Sequence, residues 1–143
     1  MPSFSYPSSL SQEQVSFIER FYAVSDSKDV DEYVSFLTPD VDFIMGLNGV
    51  KGEAAVRKIR ETMWGGVSTR QHKPELVLAS EDGRVLMLHG TVTYGLRNGK
   101  KVDNVGWAAK MVFAEGKELK MKRYQDGTPL SSALKEQAAE ENK

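Results

Sequence analysis

Five polar residues in the second half of the chain carry side chains that can transfer protons or bind oxygen atoms: His72, Tyr94, Asp103, Arg123 and Gln125. A neutral imidazole accepts or donates a proton at physiological pH. A tyrosine hydroxyl can donate a hydrogen bond to an enolate or carbonyl oxygen, and an aspartate can act as a base. An arginine can clamp a carboxylate or phenolate. These residue types predict acid–base chemistry on an oxygenated small molecule if they share one surface.

The hairpins of this region are expected to place all five on one face of a sheet. Residues 70–125 alternate in polarity and contain short turn segments at 81–83, 98–99 and 115–116. Side chains alternate between faces along a strand, and a hairpin turn fixes which residues lie opposite each other. The rest of this predicted core face consists of Pro74, Leu76, Leu78, Leu86, Leu88, Gly90, Val92, Val105, Trp107, Ala109, Met111, Leu119 and Met121. A mostly apolar, concave face with a few convergent polar groups is the usual anatomy of a small-molecule pocket.

Several candidates also have an ordinary structural interpretation. His72 can be a core histidine bonded to a backbone carbonyl. Asp26 can orient the His72 ring from the end of the first helix, or it can cap the next helix instead. Tyr94 and Asp103 are predicted to lie near each other beside a turn, where both can be solvated.

Two further residues of the predicted face can either pack or bind a ligand. Trp107 lies opposite Gly90 in the predicted pairing, where its ring can belong to the core or form a flat wall for an aromatic ligand. Arg123 is costly to bury unpaired, so it either binds a substrate oxygen or is neutralised by Asp103 or Asp126.

The composition predicts one globular domain without a metal or cofactor. The chain has 143 residues, of which 40% are hydrophobic and 27% charged, and it has no cysteine. Nineteen basic and twenty acidic residues are nearly balanced, which argues against a nucleic-acid or anionic-membrane partner. The two histidines, His72 and His89, are predicted on opposite faces, so they do not form a metal site. Since no signal peptide or membrane span is evident, we expect a cytoplasmic protein.

The order of elements predicts a segregated α+β fold. The predicted elements are helices over 12–25 and from about 29 to 37, a strand over 41–47, a helix over 53–64 and the four strands of 70–125. The predicted organisation is a flexible lead-in over 1–10, a single domain over 11–130 and a charged, partly helical tail over 131–143. Pro74 favours an edge position for the first of the four strands.

Three passages are similar to those of a known superfamily: residues 38–43 (TPDVDF), 50–56 (VKGEAAV) and 124–130 (YQDGTPL). Together with the element order, they resemble the SnoaL-like branch of the nuclear-transport-factor-2-like superfamily over about residues 12–130. The resemblance implies a cone, in which a strongly curved antiparallel sheet wraps around the N-terminal helices and leaves an open end for a ligand. It also implies a homodimer formed through the outer face of the sheet. Members include polyketide cyclases, dehydratases, isomerases and epoxide hydrolases, but also proteins that only bind or scaffold.

Two shorter segments, residues 26–31 (DSKDVD) and 69–72 (TRQH), are similar to segments of the scytalone dehydratases, fungal enzymes of this superfamily. The resemblance implies that Asp26 and His72 belong to a water-polarising catalytic apparatus. It does not extend to the second catalytic histidine of those enzymes, which falls on Tyr94 or its neighbour here. The groups next to the substrate therefore differ, and scytalone itself is not the expected substrate.

These observations predict a cofactor-independent enzyme that dehydrates, isomerises or cyclises a polyketide-like or other hydrophobic, oxygenated metabolite. His72 is the predicted acid–base group, and Asp26 is predicted to orient it. The predicted substrate-binding residues are Tyr22, Tyr94, Asp103, Trp107 and Arg123. The alternative is a non-catalytic ligand-binding or dimerisation module of the same fold, in which apolar side chains fill the cone.

Overall fold

A computed structural model of the protein describes residues 4–46 and 48–127. The elements of this part of the chain are α1 (Gln12–Ser25), α2 (Val30–Ser35), β1 (Leu37–Met45), β2 (Asn48–Lys51), α3 (Glu53–Gly66), β3 (Val67–Ala79), β4 (Val85–Leu96), β5 (Lys101–Phe113) and β6 (Met121–Gly127). The predicted order is confirmed, with β2 added where the sequence predicts only the end of a strand. None of the described helices is long and apolar enough to span a bilayer.

Local capping signals set the start of the two N-terminal helices. The Ser11 hydroxyl accepts a hydrogen bond from Gln14 N, and the Gln14 side chain accepts one from Ser11 N, both at 3.1 Å. This reciprocal pair is the predicted capping box. Asp29 caps α2 by accepting a bond from the backbone of Glu32 at 3.0 Å. The aromatic side of α1, which includes Phe21, then packs against β5 and β6 on the concave face of the sheet.

The described strands form one curved sheet in the order β2-β1-β6-β5-β4-β3. Neighbours are antiparallel except for β1 and β6, which are parallel. The predicted α+β class with a curved sheet is confirmed, but the sheet is mixed, because this one pair is parallel rather than antiparallel. A parallel pair requires a crossover, and here the chain leaves β1 through β2 and α3 before three hairpins bring β6 back alongside β1. Strand β3 lies at the sheet edge, as Pro74 predicts.

A register shift in β3 changes which side chains face the core. Between Pro74 and Leu76 the pairing with β4 slips by one residue. Such a bulge moves the following side chains to opposite faces. Val77 is consequently buried, whereas Leu76 is 40% and Leu78 is 56% exposed. The prediction that Leu76 and Leu78 lie on the core face is wrong for this reason.

A second shift separates Tyr94 from Asp103. Asn104 has a left-handed backbone conformation, with φ of +49°, and the pairing of β4 with β5 slips there. Tyr94 lies opposite Val102 and is buried. The Asp103 side chain is 57% exposed and lies 3.4 Å from Lys101 Nζ. The predicted juxtaposition of Tyr94 and Asp103 in the pocket is therefore wrong.

A third shift, between β5 and β6, exchanges the two faces on which the later side chains of β6 lie. Tyr124 and Asp126 face the interior and are buried. Arg123 and Gln125, which alternate with them, point to the other face. The predicted inward position of Arg123 and Gln125 is thus wrong, because the extra residue changes the face on which each later side chain lies.

Residues 4–10 are held against the domain, whereas the sequence predicts a flexible lead-in. The backbone of Ser5 forms two hydrogen bonds of 2.9 Å with strand β3. Phe4 and Leu10 are buried in the hydrophobic core, and the burial of these apolar side chains offsets the entropy lost on ordering the segment. The predicted tail, 131–143, lies outside the described residues.

Candidate active site

The end of α1 and strand β3 bring Asp26 and His72 together. Asp26 is the C-cap residue of α1. Its Oδ2 atom accepts a hydrogen bond from the backbone N of His72 at 2.8 Å, and its Oδ1 atom lies 2.6 Å from His72 Nδ1. The side chain of His72 is completely buried, and that of Asp26 is 21% exposed. Asp26 thus holds both the backbone and the ring of His72, while Asp29 supplies the cap of the next helix.

Arg70 contacts the other nitrogen of the His72 ring. The Nη2 atom of Arg70 lies 3.2 Å from His72 Nε2. A guanidinium group only donates hydrogen bonds, so Nε2 is the acceptor and carries no proton. The proton of the neutral ring therefore lies on Nδ1, which donates to Asp26 Oδ1. Both oxygens of Asp26 then accept N–H bonds, as an ionised carboxylate does.

This environment keeps the His72 ring neutral. Burial, followed by the positive charge of Arg70, lowers the pKa of His72 from 6.5 to about 4, although the bond to Asp26 acts in the opposite direction. Both ring nitrogens are engaged, so His72 has to lose its bond to Arg70 before it can take a proton from a substrate. The geometry suits His72 better to holding Arg70 than to general base catalysis.

Two arginines are buried in the same interior. Arg70 is 7% exposed, donates from Nη1 to the sulfur of Met63 at 3.0 Å and lies 5.8 Å from the centre of the Tyr94 ring. Arg60, on α3, is 3% exposed and donates from Nη2 to the carbonyl oxygen of Ser25 at 2.7 Å. Burial lowers the pKa of Arg60 to about 10. Arg60 therefore remains a cation at neutral pH.

A buried carboxyl group lies at the end of β6. Asp126 is 1% exposed, and its Oδ2 atom accepts a hydrogen bond from the Tyr124 hydroxyl at 3.2 Å. The Tyr124 hydroxyl in turn lies 3.1 Å from that of Tyr22. The Oδ1 atom of Asp126 has no hydrogen-bond partner within the described part of the chain.

The pKa of Asp126 is raised toward neutral pH. Burial raises the pKa of Asp126 from 3.8 to about 6, against the opposing influence of Arg70 and the bond from Tyr124. Burial also raises the pKa of Tyr22 and of Tyr124 well above 10, so both phenols stay protonated. A carboxyl group with a pKa of about 6 can accept and return a proton near physiological pH.

The Trp107 ring forms a wall beside these groups. Its centre lies 5.0 Å from that of Tyr22 and 5.5 Å from that of His72. Trp107 is paired with Gly90, as predicted. A Cβ atom on Gly90 would lie 2.9 Å from the Trp107 ring and 2.3 Å from the carbonyl oxygen of Lys73. The close approach of the ring and the neighbouring strand therefore requires glycine at this position.

Two of the predicted site residues lie away from the interior. Asp103 is exposed beside Lys101. Arg123 borders a surface depression of about 310 Å³, together with Asp42 and Lys51. The predicted site residues that the structure brings together in the interior are Tyr22, Asp26, His72, Tyr94 and Trp107.

Sequence reasoning missed three charged residues of the interior. Arg70 precedes His72 by two positions in the same strand, so alternation is sufficient to place it on the same face. Arg60 lies three residues before Met63 on α3, which is the spacing of one helix face. Asp126 gave no such signal, because the register shift before it inverts the alternation.

The interior is closed to solvent in this structure. His72, Asp126, Trp107 and Tyr22 are each at most 8% exposed. A depression of about 590 Å³ lies elsewhere, between α1, α2 and the β5–β6 turn, and Phe36 is among its lining residues. Within the described ranges, no three histidine or acidic residues are grouped so as to hold a metal ion. A ligand of the interior must therefore displace side chains as it binds.

The sequence of the SnoaL-like domain family matches this chain over residues 18–119. The chain belongs to the SnoaL-like family. The matched residues include Asp26, Arg60, Arg70, His72 and Trp107, whereas Asp126 lies beyond the end of the match. None of the curated proteins compared with this SnoaL-like chain matches it.

Solved structures share the fold of this SnoaL-like protein. An NTF2-like protein of unknown function from Burkholderia pseudomallei is 14% identical, with a TM-score of 0.74 over 87% of this chain and 97% of that one. A putative polyketide cyclase from Xanthomonas campestris is 17% identical, with a TM-score of 0.74 over 86% and 95%. TerC, co-crystallised with polyporic acid, is 17% identical, with a TM-score of 0.69 over 87% and 97%. At these identities the likeness shows the fold alone.

Proposed function

We propose that this SnoaL-like protein is a small-molecule enzyme that transfers protons on a hydrophobic, oxygenated ligand in the interior of the cone, without a cofactor. The observation that carries the proposal is Asp126, a buried carboxyl group that has an unpartnered oxygen among the described residues and a pKa of about 6. The similarity to a putative polyketide cyclase and to a protein co-crystallised with polyporic acid supports a polyketide-like or other hydrophobic, oxygenated ligand. The reaction classes are dehydration, isomerisation or aldol-type cyclisation next to a carbonyl group.

Asp126 is the proton-transfer group in this proposal. Its Oδ1 atom takes a proton from the carbon beside the substrate carbonyl and later returns that proton to the product. Its Oδ2 atom keeps the hydrogen bond from Tyr124, which Tyr22 extends. Trp107 supplies a flat apolar surface on which an aromatic ligand can stack.

His72 and Asp26 act as positioning residues in this proposal. Their hydrogen bonds fix the side chain of Arg70 from the side of the helix α1. Tyr94 lies against the other side of Arg70, with its ring 5.8 Å from the guanidinium carbon. The pair of His72 and Asp26, predicted from the sequence to carry out acid–base chemistry, therefore supports the Arg70 cation in this proposal. The proton transfer is assigned to Asp126 on β6 instead.

Deuterium exchange at the α-carbon of propiophenone, a neutral aryl ketone, tests the proposal by proton NMR in D₂O. We expect the protein to accelerate this exchange, and Asp126→Asn to slow the catalysed rate by about a hundredfold or more, as expected for loss of a general base. Asp103→Asn, which removes an exposed carboxyl, is the matched control and should retain the rate. No acceleration by the unsubstituted protein, or equal rates for it and Asp126→Asn, would contradict the proposal.

A second function, that of a non-catalytic dimerisation module, is favoured by the outer face of the sheet. Leu76, Leu78 and Met87 are 40%, 56% and 48% exposed there, and Leu78 is paired with Met87. A homodimer through this face would bury them, while the closed interior would serve only as a core. This function predicts a dimer in analytical ultracentrifugation that Leu78→Lys converts to a monomer. It also predicts that the unsubstituted protein does not catalyse the deuterium exchange of propiophenone. Both results together would support the dimerisation module over the enzyme.

A further inference from the structure

Two buried guanidinium groups neither accept nor donate the transferred proton in the function proposed above, and no ligand group has yet been assigned to them. Arg70 reaches the sulfur of Met63 and the neutral ring of His72, and Arg60 reaches a backbone carbonyl and the face of the Tyr33 ring, 4.0 Å from its centre. Among the described residues, no acid lies within 4.0 Å of either guanidinium as an ion pair. The Nε atom of each arginine is buried and has no hydrogen-bond partner in that part of the chain.

Burying these two guanidinium groups costs free energy when no negatively charged group contacts them. A buried cation loses its hydration, and only an ion pair with further hydrogen bonds compensates well for that loss. A thioether sulfur is a weak acceptor, so the bond from Arg70 to Met63 replaces little of the lost hydration. Asp26 interacts with Arg60, and Asp126 with Arg70, only through longer-range electrostatics and without an ion-pair contact.

We propose that Arg70 and Arg60 form an anion subsite in the interior, which binds a carboxylate or ionised enol oxygen of the ligand. The unused Nε–H groups and the weakly held Nη1 of Arg70 are the donors for this oxygen. When the ligand binds, its oxygen replaces the Met63 sulfur as the acceptor for Nη1, while His72 and Asp26 keep Arg70 in place. The inference rests on the proposed function, because it requires that the interior admit a small molecule, and it narrows the substrate class to acidic molecules.

The test compares benzoate with benzyl alcohol, a neutral molecule of similar shape, in NMR titrations of the full chain. The readouts are the Nε–H signals of Arg60 and Arg70 and the indole N–H signal of Trp107. We expect benzoate to shift all three saturably and to bind at least about tenfold more tightly than benzyl alcohol, because charge-assisted bonds are about twice as strong as neutral ones. Arg70→Gln should weaken benzoate binding by about tenfold or more and leave benzyl alcohol unaffected.

The controls separate this inference from the proposed function. Arg84→Gln removes an exposed arginine that pairs with Glu115, and it should leave both affinities unchanged. Equal binding of benzoate and benzyl alcohol in the interior would overturn the anion subsite and leave the pocket intact. If neither compound moved the Trp107 or arginine signals, both the subsite and the pocket would be refuted. If Arg70→Gln does not fold, the relative affinities of benzoate and benzyl alcohol for the unsubstituted protein decide whether the anion subsite exists. The Arg70→Lys variant should then retain part of the preference for benzoate.

Discussion

Replacing Asp126 by Asn is expected to change how the free energy of unfolding depends on pH between about 4 and 6. In the folded protein burial raises the pKa of Asp126 from 3.8 to about 6. Between these values the folded state holds a proton that the unfolded state has lost, so the free energy of unfolding falls as the pH rises. One pKa unit corresponds to about 1.4 kcal/mol, so this loss amounts to roughly 3 kcal/mol.

His72 acts in the opposite direction over nearly the same range. Its pKa is lowered from 6.5 to about 4, so the unfolded state binds a proton there that the folded state does not. The free energy of unfolding therefore falls as the pH falls, also by roughly 3 kcal/mol. In the unsubstituted protein the folded state carries the proton on Asp126 and the unfolded state carries it on His72, so the two effects nearly cancel.

Urea unfolding at a series of pH values measures this cancellation. Relative to the unsubstituted protein, the free energy of unfolding of Asp126→Asn should rise by about 3 kcal/mol from about pH 4 to about pH 7. The variant alone then shows the His72 contribution and loses stability in acid. Asp103→Asn, which removes an exposed carboxyl, is the matched control. A difference between Asp126→Asn and the unsubstituted protein that stays constant over this range would refute the argument.

Three further outcomes follow from the geometry. Gly90→Ala should destabilise the fold by about 3 kcal/mol in urea unfolding, because its Cβ would overlap backbone atoms; a change below about 1 kcal/mol would contradict the close approach. Val77→Ala should cost about 2 kcal/mol and Leu78→Ala less than about 0.5 kcal/mol, and the reverse ranking would mean that β3 has no register shift. Nitrogen-15 NMR should find His72 protonated at Nδ1 and not at Nε2 down to about pH 5, whereas titration near 6.5 would be inconsistent with its burial beside Arg70.

Elements with local signals could be predicted from the sequence. The capping residues Ser11 and Asp29 begin α1 and α2, and the turns near Gly83 and Gly99 separate the strands as predicted. These signals act within a few residues, so their effect does not depend on the rest of the fold. The parallel pairing of β1 with β6 could not be predicted in this way, because it depends on the path of the whole chain between them.

The candidate site was predictable where alternation continues unbroken. Gly90 and Trp107 are paired as predicted and lie in the stretch from Val85 to Val92, where β4 and β5 keep one register. Beyond Val92 the predicted inward position of Asp103 is wrong, and on β6 unbroken alternation predicts Arg123 in the interior where the structure has Asp126. A bulge bends and twists the strand that carries it, and its position depends on the curvature of the whole sheet, so the residues next to it carry only a weak signal.

The register shifts described above also govern how a site of this kind can be compared or altered. A strand has an even and an odd set of side chains, and each extra residue exchanges the two sets. Whether β6 presents Asp126 or Gln125 to the interior thus depends on which of the two alternating sets faces inward after the shift. A single-residue insertion or deletion between Met121 and Tyr124 would exchange the acid for an amide in one step. Between proteins that share only the fold, the register shifts therefore have to be counted before any residue on β6 is matched to another.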